Sequence, residues 1–484
     1  MILGNRLSVL TKKTTPTKLK FHLTSNLTQP LYLTQSSANA VTVDWGDGSA
    51  TEQSSSLAAS FSHKYAAAGD YEVKVACADG ESWSPGGTFN SKVYSLLGDV
   101  SGKSPSFPTL TKVSIGTDIS ELTSNSGRGF SYSTELSEMT LPSSLKKIGG
   151  GNLLSGWFTN CEKLKRVNVE SLTYWFSELR IVADSPIYNG GLLYINGIPQ
   201  INIIIPDGIT ELKSPDFAIM GSGIEAIDTN DLASVKLNAS SLRSVIIGKG
   251  CSYVSPNDFY SKMQHLTELK VSPDNPTYTS HGNCIIKDHT VVVGISNSIL
   301  PSDGSITKIG GEAFRPAYSI VDFTVPSSIT VCDVAAFSSP AGPQKVYIED
   351  LSAWCRIEFR LGNASTYNSN PLIHNAELYL NNEKVTSLII PADISEVSSA
   401  TFINCKSITS ITLHENITKI GLSAFAGCTN VTAITSLAVK PPRLWGDAFK
   451  DIPATCPIYV PAESVEAYKA DWSARKDYIQ AKTV

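Results

Sequence analysis

The residues at the start of the chain that are best suited to chemistry are two carboxylates in a glycine-rich turn. Asp44 and Asp47 lie in the sequence Asp-Trp-Gly-Asp-Gly, which Gly46 and Gly48 allow to turn tightly. Carboxylates so close together are candidate ligands of a cation. Carboxylates in such turns also accept hydrogen bonds from backbone amides. We favour this second role and expect neither a bound metal nor another cofactor.

Other stretches match catalytic or nucleotide-binding motifs only in part. The sequence GDVSGKS at 98–104 is one residue short of a phosphate-binding loop, and PSFP follows it where a helix should begin. His281 and His289 flank Asp288 in one short segment, which we interpret as a solvated hairpin rather than a metal site. The sequence contains neither HExxH nor GxSxG. We predict that the protein is not an enzyme, although spacing alone does not exclude paired carboxylates for glycoside hydrolysis.

The cysteines also lack a reactive pattern. No Cys-x-x-Cys pair occurs, which argues against a zinc cluster, and their low density argues against a disulfide framework. We therefore predict buried free thiols at all nine positions, which are Cys77, Cys161, Cys251, Cys284, Cys332, Cys355, Cys405, Cys428 and Cys456.

The composition narrows the possible partners. Hydrophobic residues make up 42% of the 484 residues and charged residues only 17%, with a net charge of −5. This content is sufficient for folding, but it provides neither a basic face for nucleic acid nor a polybasic patch for membranes. No apolar run approaches the roughly 18 residues of a membrane span, and no signal-peptide core is visible. We expect no membrane span and no nucleic-acid partner.

A fixed interval dominates the rest of the chain. Phe402 and Phe425 are 23 residues apart, and so are Cys405 and Cys428. Apolar residues recur at the same offsets around other phenylalanines, and a period in this range indicates stacked repeats. About nine units follow, indexed by Phe130, Phe158, Phe217, Phe259, Phe314, Phe337, Phe402, Phe425 and Phe449.

Each unit combines a short strand, a turn that carries the phenylalanine and a second short strand. A unit this small cannot bury its own apolar side, so neighbouring units must stack into a solenoid. Phe402 and Phe425 would then form one buried column, and Cys405 and Cys428 a second. Three inserts, at 185–206, 275–295 and 370–391, have strand–turn–strand patterns typical of β-hairpins.

The repeat resembles a known family. The segments SAFAGCTNVTAIT and TFINCKSITSITL are similar to the BspA-like leucine-rich repeats of bacterial surface proteins, and the resemblance extends from about Leu96 to the end. It departs from the pattern at Cys332 and in the irregular register around Phe217 and Phe259. The segment IYVPAESVEAYKADWSARKDYIQA resembles the terminal cap of such proteins. The resemblance implies an extracellular or bacterial cell-surface protein that binds host proteins or other cells.

The first hundred residues differ from this repeat. Short strands alternate with turns, as in a β-sandwich. The WGDG turn and the later residues His63, Tyr65, Gly69 and Tyr71 closely resemble a PKD-type immunoglobulin-like domain. We predict a tail at residues 1–16, a PKD-like β-sandwich at 17–95, a solenoid at 96–462 and a C-terminal capping segment at 463–484. The fold class is mainly β with short helical turns.

The outward face of the repeat strands is the candidate binding surface. Inward positions are uniformly apolar, whereas outward ones vary in charge and shape, which suits recognition of a partner protein. The candidate ligand-binding residues are Arg166, Asp322, Lys345, Tyr347 and Tyr459.

Besides host extracellular or cell-surface proteins, we consider two other kinds of partner. A glycan could stack on an exposed aromatic residue such as Trp354, Tyr188 or Tyr379, although we expect these aromatic residues to lie in hairpin cores. A role in host recognition by a phage or prophage is a further alternative. We expect a monomer.

Overall fold

The computed structural model consists mainly of short β-strands. It describes residues 15–24, 28–35, 41–54, 58–77, 83–85, 88–89, 92–93, 109–117, 119–122, 130–149, 157–182, 185–187, 189–212, 223–234, 241–259, 265–339, 342–362 and 368–482. The chain forms two compact units. Unit 1 comprises Met1–Leu232 with Lys236–Leu242, and unit 2 comprises Ala233–Val235 with Arg243–Val484.

Unit 1 begins with antiparallel strands. They are β1 Thr17–Leu23, β2 Thr28–Gln35, β3 Val41–Asp44, β4 Glu52–Ser54, β5 Ala58–Lys64, β6 Gly69–Cys77, β7 Trp83–Pro85, β8 Thr88–Phe89 and β9 Lys92–Val93. In one sheet β1 pairs with β6, β6 with β3 and β3 with β4; in another β2 pairs with both β5 and β7. Of the four residues expected in the core of this region, Trp45, Tyr65 and Val73 are buried and Tyr71 is half-buried. The PKD-type identity of this region stays a prediction.

The two sheets continue into parallel strands. These are β10 Leu110–Ser114, β11 Glu121–Leu122, β12 Glu138–Thr140, β13 Lys147–Ile148, β14 Arg166–Asn168, β15 Arg180–Ile181 and β16 Leu192–Ile195. β17 Ile198–Pro199 pairs antiparallel with β16, and β18 Asn202–Ile204 and β19 Ala226–Asp228 pair in parallel in a separate sheet. The first sheet continues from β1 through β10, β12, β14 and β16 to β17, and the second from β7 through β11 and β13 to β15. Because β1 and β7 each pair with a repeat strand, the antiparallel region and the repeats share their sheets.

Unit 2 contains the remaining strands. They are β20 Ser244–Ile247, β21 Glu268–Val271, β22 Thr279–His281, β23 Cys284–Lys287, β24 Thr290–Gly294, β25 Lys308–Ile309, β26 Asp322–Thr324, β27 Val331–Cys332, β28 Lys345–Ile348, β29 Glu358–Phe359, β30 Glu377–Leu380, β31 Glu383–Lys384, β32 Ser387–Ile389, β33 Glu396–Val397, β34 Ser410–Leu413, β35 Lys419–Ile420, β36 Ala433–Ser436, β37 Arg443–Leu444, β38 Ile458–Val460 and β39 Ile479–Ala481.

The coils of unit 2 from β25 onward contribute two kinds of strand, whereas β20 and β21 pair in parallel in a separate sheet. First strands follow the phenylalanine turn and form the sheets β26–β28–β30–β31 and β32–β34–β36–β38–β39. Second strands precede the phenylalanine turn and form the sheets β22–β23–β24–β25–β27–β29 and β33–β35–β37. Repeat strands pair in parallel with the same strand of the next coil, as in β34 with β36. The predicted solenoid of stacked coils is therefore confirmed.

The phenylalanine column is present as predicted. The ring of Phe425 lies between those of Phe402 and Phe449, with centroids 5.4 and 5.7 Å away and nearly parallel planes. Phe314 and Phe337 stack in the same way at 5.2 Å. Every indexed phenylalanine except Phe217, which lies outside the described residues, is buried.

The turn that carries each phenylalanine is held by the next coil. Phe402 N donates to the carbonyl oxygen of Ala424 at 2.8 Å, and Cys405 N closes a single turn onto Phe402 O. Ala400 has a φ of 57° and Asn404 one of 56°. Because the residues on both sides of the turn have a left-handed backbone conformation, the turn cannot extend into a right-handed helix.

The inserts form antiparallel additions to the sheets. β16–β17 and β30–β31 are hairpins, and the insert at 275–295 carries one strand more than predicted, because β23 pairs with both β22 and β24. The turn of β30–β31 is Asn381-Asn382, both at positive φ. Asparagine tolerates this conformation, which two-residue hairpin turns require.

Helices are few and short. The α-helices are α1 Leu351–Arg356 and α2 Val465–Asp471; 3-10 helices occupy Pro256–Phe259, Pro371–His374, Ala462–Ser464 and Ser473–Tyr478, and a π-helical segment Tyr174–Glu178. The last segment closes the stack: β39 pairs with β38, and Trp472 is buried beside Phe449. Arg475 donates to three carbonyl oxygens of the last coil, those of Phe449, Ile452 and Pro453.

Candidate functional site

Outward-facing side chains of the sheet β26–β28–β30–β31 bring three of the five candidate residues together. Strand register places Asp322 opposite Lys345 and Lys345 opposite Glu377. Tyr347, two residues after Lys345, lies opposite Tyr379. Phe323 and Val346, which alternate with these residues, are buried. The alternation of the strand therefore leaves the charged and aromatic side chains on the outward face.

Two stacked tyrosines form the centre of this surface. The rings of Tyr347 and Tyr379 are 5.0 Å apart between centroids at an angle of 29°. Lys345 Nζ lies 5.9 Å from the Tyr379 centroid, within reach of a weak cation–π contact. Both tyrosines are half-buried. We call Asp322, Lys345, Tyr347, Glu377 and Tyr379 the Tyr347–Tyr379 patch.

Charged side chains pair with one another at the edge of this patch. Glu377 pairs with Lys384 at 2.5 Å and accepts a hydrogen bond from Tyr379 Oη at 2.9 Å. These contacts hold the pKa of Glu377 below its usual range, with Lys384 the larger influence. Lys345 Nζ is 4.0 Å from an Asp322 carboxylate oxygen, and the Lys345 side chain is 42% exposed. Lys345 is thus only loosely paired and accessible to a ligand.

Arg166 belongs to a similar arrangement in unit 1. Its guanidinium lies 4.2 Å from the ring centroid of Tyr194, and its Nε lies 3.4 Å from Glu138. Burial alone would raise the pKa of Glu138, but hydrogen bonds from Lys112 and Asn168 and the adjacent positive charges outweigh it and lower the pKa. We call Lys112, Glu138, Arg166 and Tyr194 the Arg166–Tyr194 patch.

Tyr459 lies apart from these groups. It is half-buried on β38, opposite Thr435 and Gln480, in the other first-strand sheet of unit 2. The structure therefore does not bring all five candidate residues into one surface. The role of each in binding stays a prediction.

Residues supplied by the inserted hairpins complete both patches. Tyr379, Glu377 and Lys384 come from β30–β31, and Tyr194 from β16–β17. Sequence reasoning had placed Tyr379 in the hairpin core, whereas its ring lies outward against Tyr347. The shared Leu-Tyr-hydrophobic-Asn pattern of the two inserts, LYIN and LYLN, is the signal that marks these tyrosines.

The carboxylates of the N-terminal turn accept hydrogen bonds. Asp44 accepts from Gly46 N and Asp47 from Ser49 N, each at 3.0 Å. Asp47 also pairs with His63 Nε2 at 2.6 Å. Hydrogen bonding by Ser49, with a smaller contribution from His63, lowers the pKa of Asp47 to about 2. These contacts match the backbone-capping role that the sequence favours.

The other residues considered for metal binding, nucleotide binding or thiol chemistry show no such site among the described residues. His289 Nδ1 bonds to the Ser305 carbonyl at 2.8 Å, and no group of three His, Cys, Asp or Glu residues that could hold a metal occurs among the described residues. The stretch 98–104 lies outside the described residues, as does the Cys77 side chain. The other eight cysteines are free and buried. Burial raises the pKa of the Cys405 and Cys428 thiols.

One of the aromatic residues considered for glycan binding is buried. Trp354 is only 1% exposed, and its Nε1 donates to the Thr401 carbonyl at 3.2 Å. Trp354 is therefore buried, as expected, and cannot serve as a sugar platform, although it lies in helix α1 rather than in a hairpin. Tyr188 lies outside the described residues.

The sequence matches one protein family over much of its length. The BspA type leucine rich repeat region matches in six copies, at residues 106–179, 237–342 and 373–443, which together exceed half of the chain. No curated protein matches the sequence.

Several solved structures are similar in fold. A leucine-rich repeat protein from Bacteroides ovatus shares 15% identity, covering 78% of this chain and 94% of that one, with a TM-score of 0.34. A leucine rich cell surface protein from Faecalibacterium prausnitzii also shares 15%, covering 72% and 94% of the two chains, with a TM-score of 0.34. A leucine-rich repeat protein from Eubacterium ventriosum shares 13%, covering 70% and 77%, with a TM-score of 0.32. Because each TM-score is below 0.5, we base no functional conclusion on these structures.

Proposed function

Because the chain belongs to the BspA-type leucine-rich repeat family, we propose that it is a non-enzymatic binding protein, secreted or on the bacterial cell surface. It recognises host extracellular or cell-surface proteins, or other cells, as a monomer. No helix among the described residues is long and apolar enough to cross a membrane.

The observation that carries the proposal is the Tyr347–Tyr379 patch. Stacked tyrosines keep a large apolar area in one orientation, so little side-chain entropy is lost when a partner covers them. Lys345 adds a partly exposed positive charge beside the rings. Tyrosine is among the residue types that dominate protein interfaces, and the surrounding charges of Asp322 and Glu377 provide a polar rim.

The Arg166–Tyr194 patch is a second candidate contact. It repeats the combination of a cation over a hairpin tyrosine, with the Arg166 side chain 39% exposed. The PKD-like region at 17–95 would act as a spacer or as a further binding module. Substitution of exposed residues of this region, such as His22 and Asp70, would distinguish these roles, because removal of residues 17–95 would also take away the partners of β10 and β11.

Binding without catalysis fits the reactive groups of the chain. The eight described cysteine thiols are buried and their pKa is raised wherever a shift is resolved, so they are poor nucleophiles. The carboxylates of the patch are paired with lysine or tyrosine rather than placed in a closed cleft. These contacts suit recognition of a surface.

The proposal is tested by a paired substitution on the patch. Lys345→Ala with Tyr347→Ala should weaken binding to purified host extracellular-matrix proteins about tenfold or more, as loss of an interface hot spot does. Lys476→Ala with Tyr478→Ala is a matched control, because both side chains are exposed elsewhere in unit 2. Equal binding by both variants, with binding instead to an array of glycans, would contradict the proposal.

A further inference from the structure

One face of unit 1 carries basic side chains in adjacent positions. Lys20 lies opposite Lys112 in the pairing of β1 with β10, and Lys18 lies opposite Lys74 in the pairing of β1 with β6. Leu19, between the two lysines of β1, is buried, so these lysines lie on the outward face of the sheet. Like charges directly opposite each other on neighbouring strands are destabilising. The chain keeps two such pairs side by side, although its net charge is −5.

Glu72 is shared by two lysines of this face. One of its carboxylate oxygens lies 3.2 Å from Lys18 Nζ, and the other lies 3.1 Å from Lys20 Nζ. Burial alone would raise the pKa of Glu72, but hydrogen bonds from both lysines outweigh it and lower the pKa, so the carboxylate is ionised at neutral pH. A single carboxylate neutralises one of the two ammonium groups, which leaves one positive charge.

Glu138 is shared in the same way. Its carboxylate oxygens lie 2.8 Å from Lys112 Nζ and 3.4 Å from Arg166 Nε, and one positive charge is again left. The Glu138 side chain is 26% exposed and that of Lys112 is 52% exposed, so the cation reaches further into solvent than the carboxylate. Two other acidic residues at the margin of this face have partners of their own, Asp44 with Lys74 and Asp70 with His22.

The surplus positive charge surrounds a shallow depression. It has a volume of about 220 Å³, and its lining includes Lys18, Lys20, Lys112, Ser114 and Thr140. Strand register places the two hydroxyl residues opposite each other, and both are half-buried. Among the described residues that line the depression, none is aromatic. We call Lys18, Lys20, Lys112, Ser114 and Thr140 the Lys20–Lys112 surface.

These groups suit a chain that is both anionic and rich in hydroxyl groups. Partner proteins are usually anchored by aromatic residues in apolar pockets, and single-stranded nucleic acid needs aromatic platforms for its bases. The described lining of this surface provides neither. Lysine ammonium groups bind sulfate or carboxylate groups as charged donors, and hydroxyl groups both donate and accept hydrogen bonds. Neighbouring strands are about 4.8 Å apart, close to the length of one sugar residue in a polysaccharide.

We propose that the Lys20–Lys112 surface binds an anionic polysaccharide through its sulfate or carboxylate groups. The polysaccharide crosses the strands from β1 over β10 towards Arg166 on β14, because the surplus charge follows this direction. The surface borders the Arg166–Tyr194 patch and shares Lys112 with it. It goes beyond the proposed function, because its ligand is a polysaccharide and not a protein. The composition does not predict this surface, since the chain as a whole is acidic.

Heparin and hyaluronan are the probes, because heparin carries sulfate and carboxylate groups and hyaluronan only carboxylates. We expect the full chain to bind heparin, hyaluronan or both in calorimetric titrations at low salt, and the pattern identifies the anionic group. Lys20→Gln with Lys112→Gln should weaken this binding about tenfold or more. Each glutamate keeps its other cation in this variant. Lys440→Gln with Lys476→Gln is the matched control, because it removes the same charge at exposed positions of unit 2.

Removal of the shared carboxylates gives a gain of binding that misfolding cannot produce. Glu72→Gln with Glu138→Gln keeps the shape of both side chains and frees the cations that they neutralise. The affinity for the polysaccharide should therefore rise about tenfold. The affinity of the wild-type chain should fall as the salt concentration rises, because salt screens the exposed charges.

Three results would overturn the proposal. The first is the absence of binding of both heparin and hyaluronan to the wild-type chain at low salt. The second is an equal loss of affinity in the Lys440→Gln, Lys476→Gln control, since binding would then depend on charge at any position. The third is tighter binding of a polyglutamate peptide than of either polysaccharide, because an acidic protein segment would then be the ligand.

Discussion

Replacement of Phe425 by alanine should destabilise the C-terminal coils of the solenoid locally. Phe425 is fully buried, and its ring stacks between Phe402 and Phe449 at 5.4 and 5.7 Å. A buried Phe→Ala change costs about 3–5 kcal/mol through lost transfer energy and the cavity left behind. The two ring contacts account for about 1–3 kcal/mol of this, at 0.5–1.5 kcal/mol for each pair.

Phe425→Leu separates these contributions. Leucine fills much of the cavity but cannot stack, so its cost should lie near the ring term, about 1–3 kcal/mol. Lys440→Ala, at an exposed position of the same region, is the control and should change stability by less than about 0.5 kcal/mol.

Hydrogen exchange is the appropriate assay because the coils of a solenoid couple mainly to their neighbours. We expect faster exchange in the segments of β34, β36 and β38 in Phe425→Ala, and unchanged exchange in β1 and β6. Equal loss of protection in β1 and β6 would refute the reasoning, as would a cost below about 1 kcal/mol, since a column held by stacking cannot lose its middle ring cheaply.

Three further changes have defined outcomes. Cys405 and Cys428 should resist a thiol reagent in the native state and both react after denaturation without reductant, because burial raises their pKa and excludes the reagent; a disulfide between them would contradict the column of free thiols. Arg475→Ala should increase exchange in the last coil by leaving three carbonyls without their donor, and Arg475→Lys should recover only part of the protection, because an ammonium cannot reproduce the guanidinium geometry. Because the pKa of Asp47 is lowered to about 2 from about 3.8, its contribution to stability is present above pH 4 and lost as the pH falls towards 2; Asp47→Asn should reduce that part of the acid sensitivity, measured by denaturant midpoints between pH 5 and 2.

The solenoid was predictable because its cause is local and repeated. A phenylalanine at a fixed interval must occupy the same place in every coil, so the period alone predicts the column that Phe402 and Phe425 form. Alternation around Lys345 and Tyr347 likewise identifies the outward face, since strand geometry fixes it. Cys405 and Cys428 are buried for the same reason.

The patches depend on insertions, which the period does not determine. Tyr379 reaches Tyr347 only because β30 joins the sheet in register with β28, and the repeat pattern carries no information on that register. Trp354 is buried as expected, but by the short helix α1 rather than by a hairpin, and the repeat pattern does not predict that helix.

The most direct test of the proposed function is the affinity of purified chain for a panel of host extracellular-matrix proteins, measured by surface plasmon resonance at two salt concentrations. Wild type and the Lys476→Ala, Tyr478→Ala control should bind alike, and Lys345→Ala with Tyr347→Ala should bind about tenfold or more weakly. The single Lys345→Ala loss should shrink at high salt and the Tyr347→Ala loss should not, because salt screens only the charge. Unchanged affinity of the patch variant relative to wild type would contradict the account.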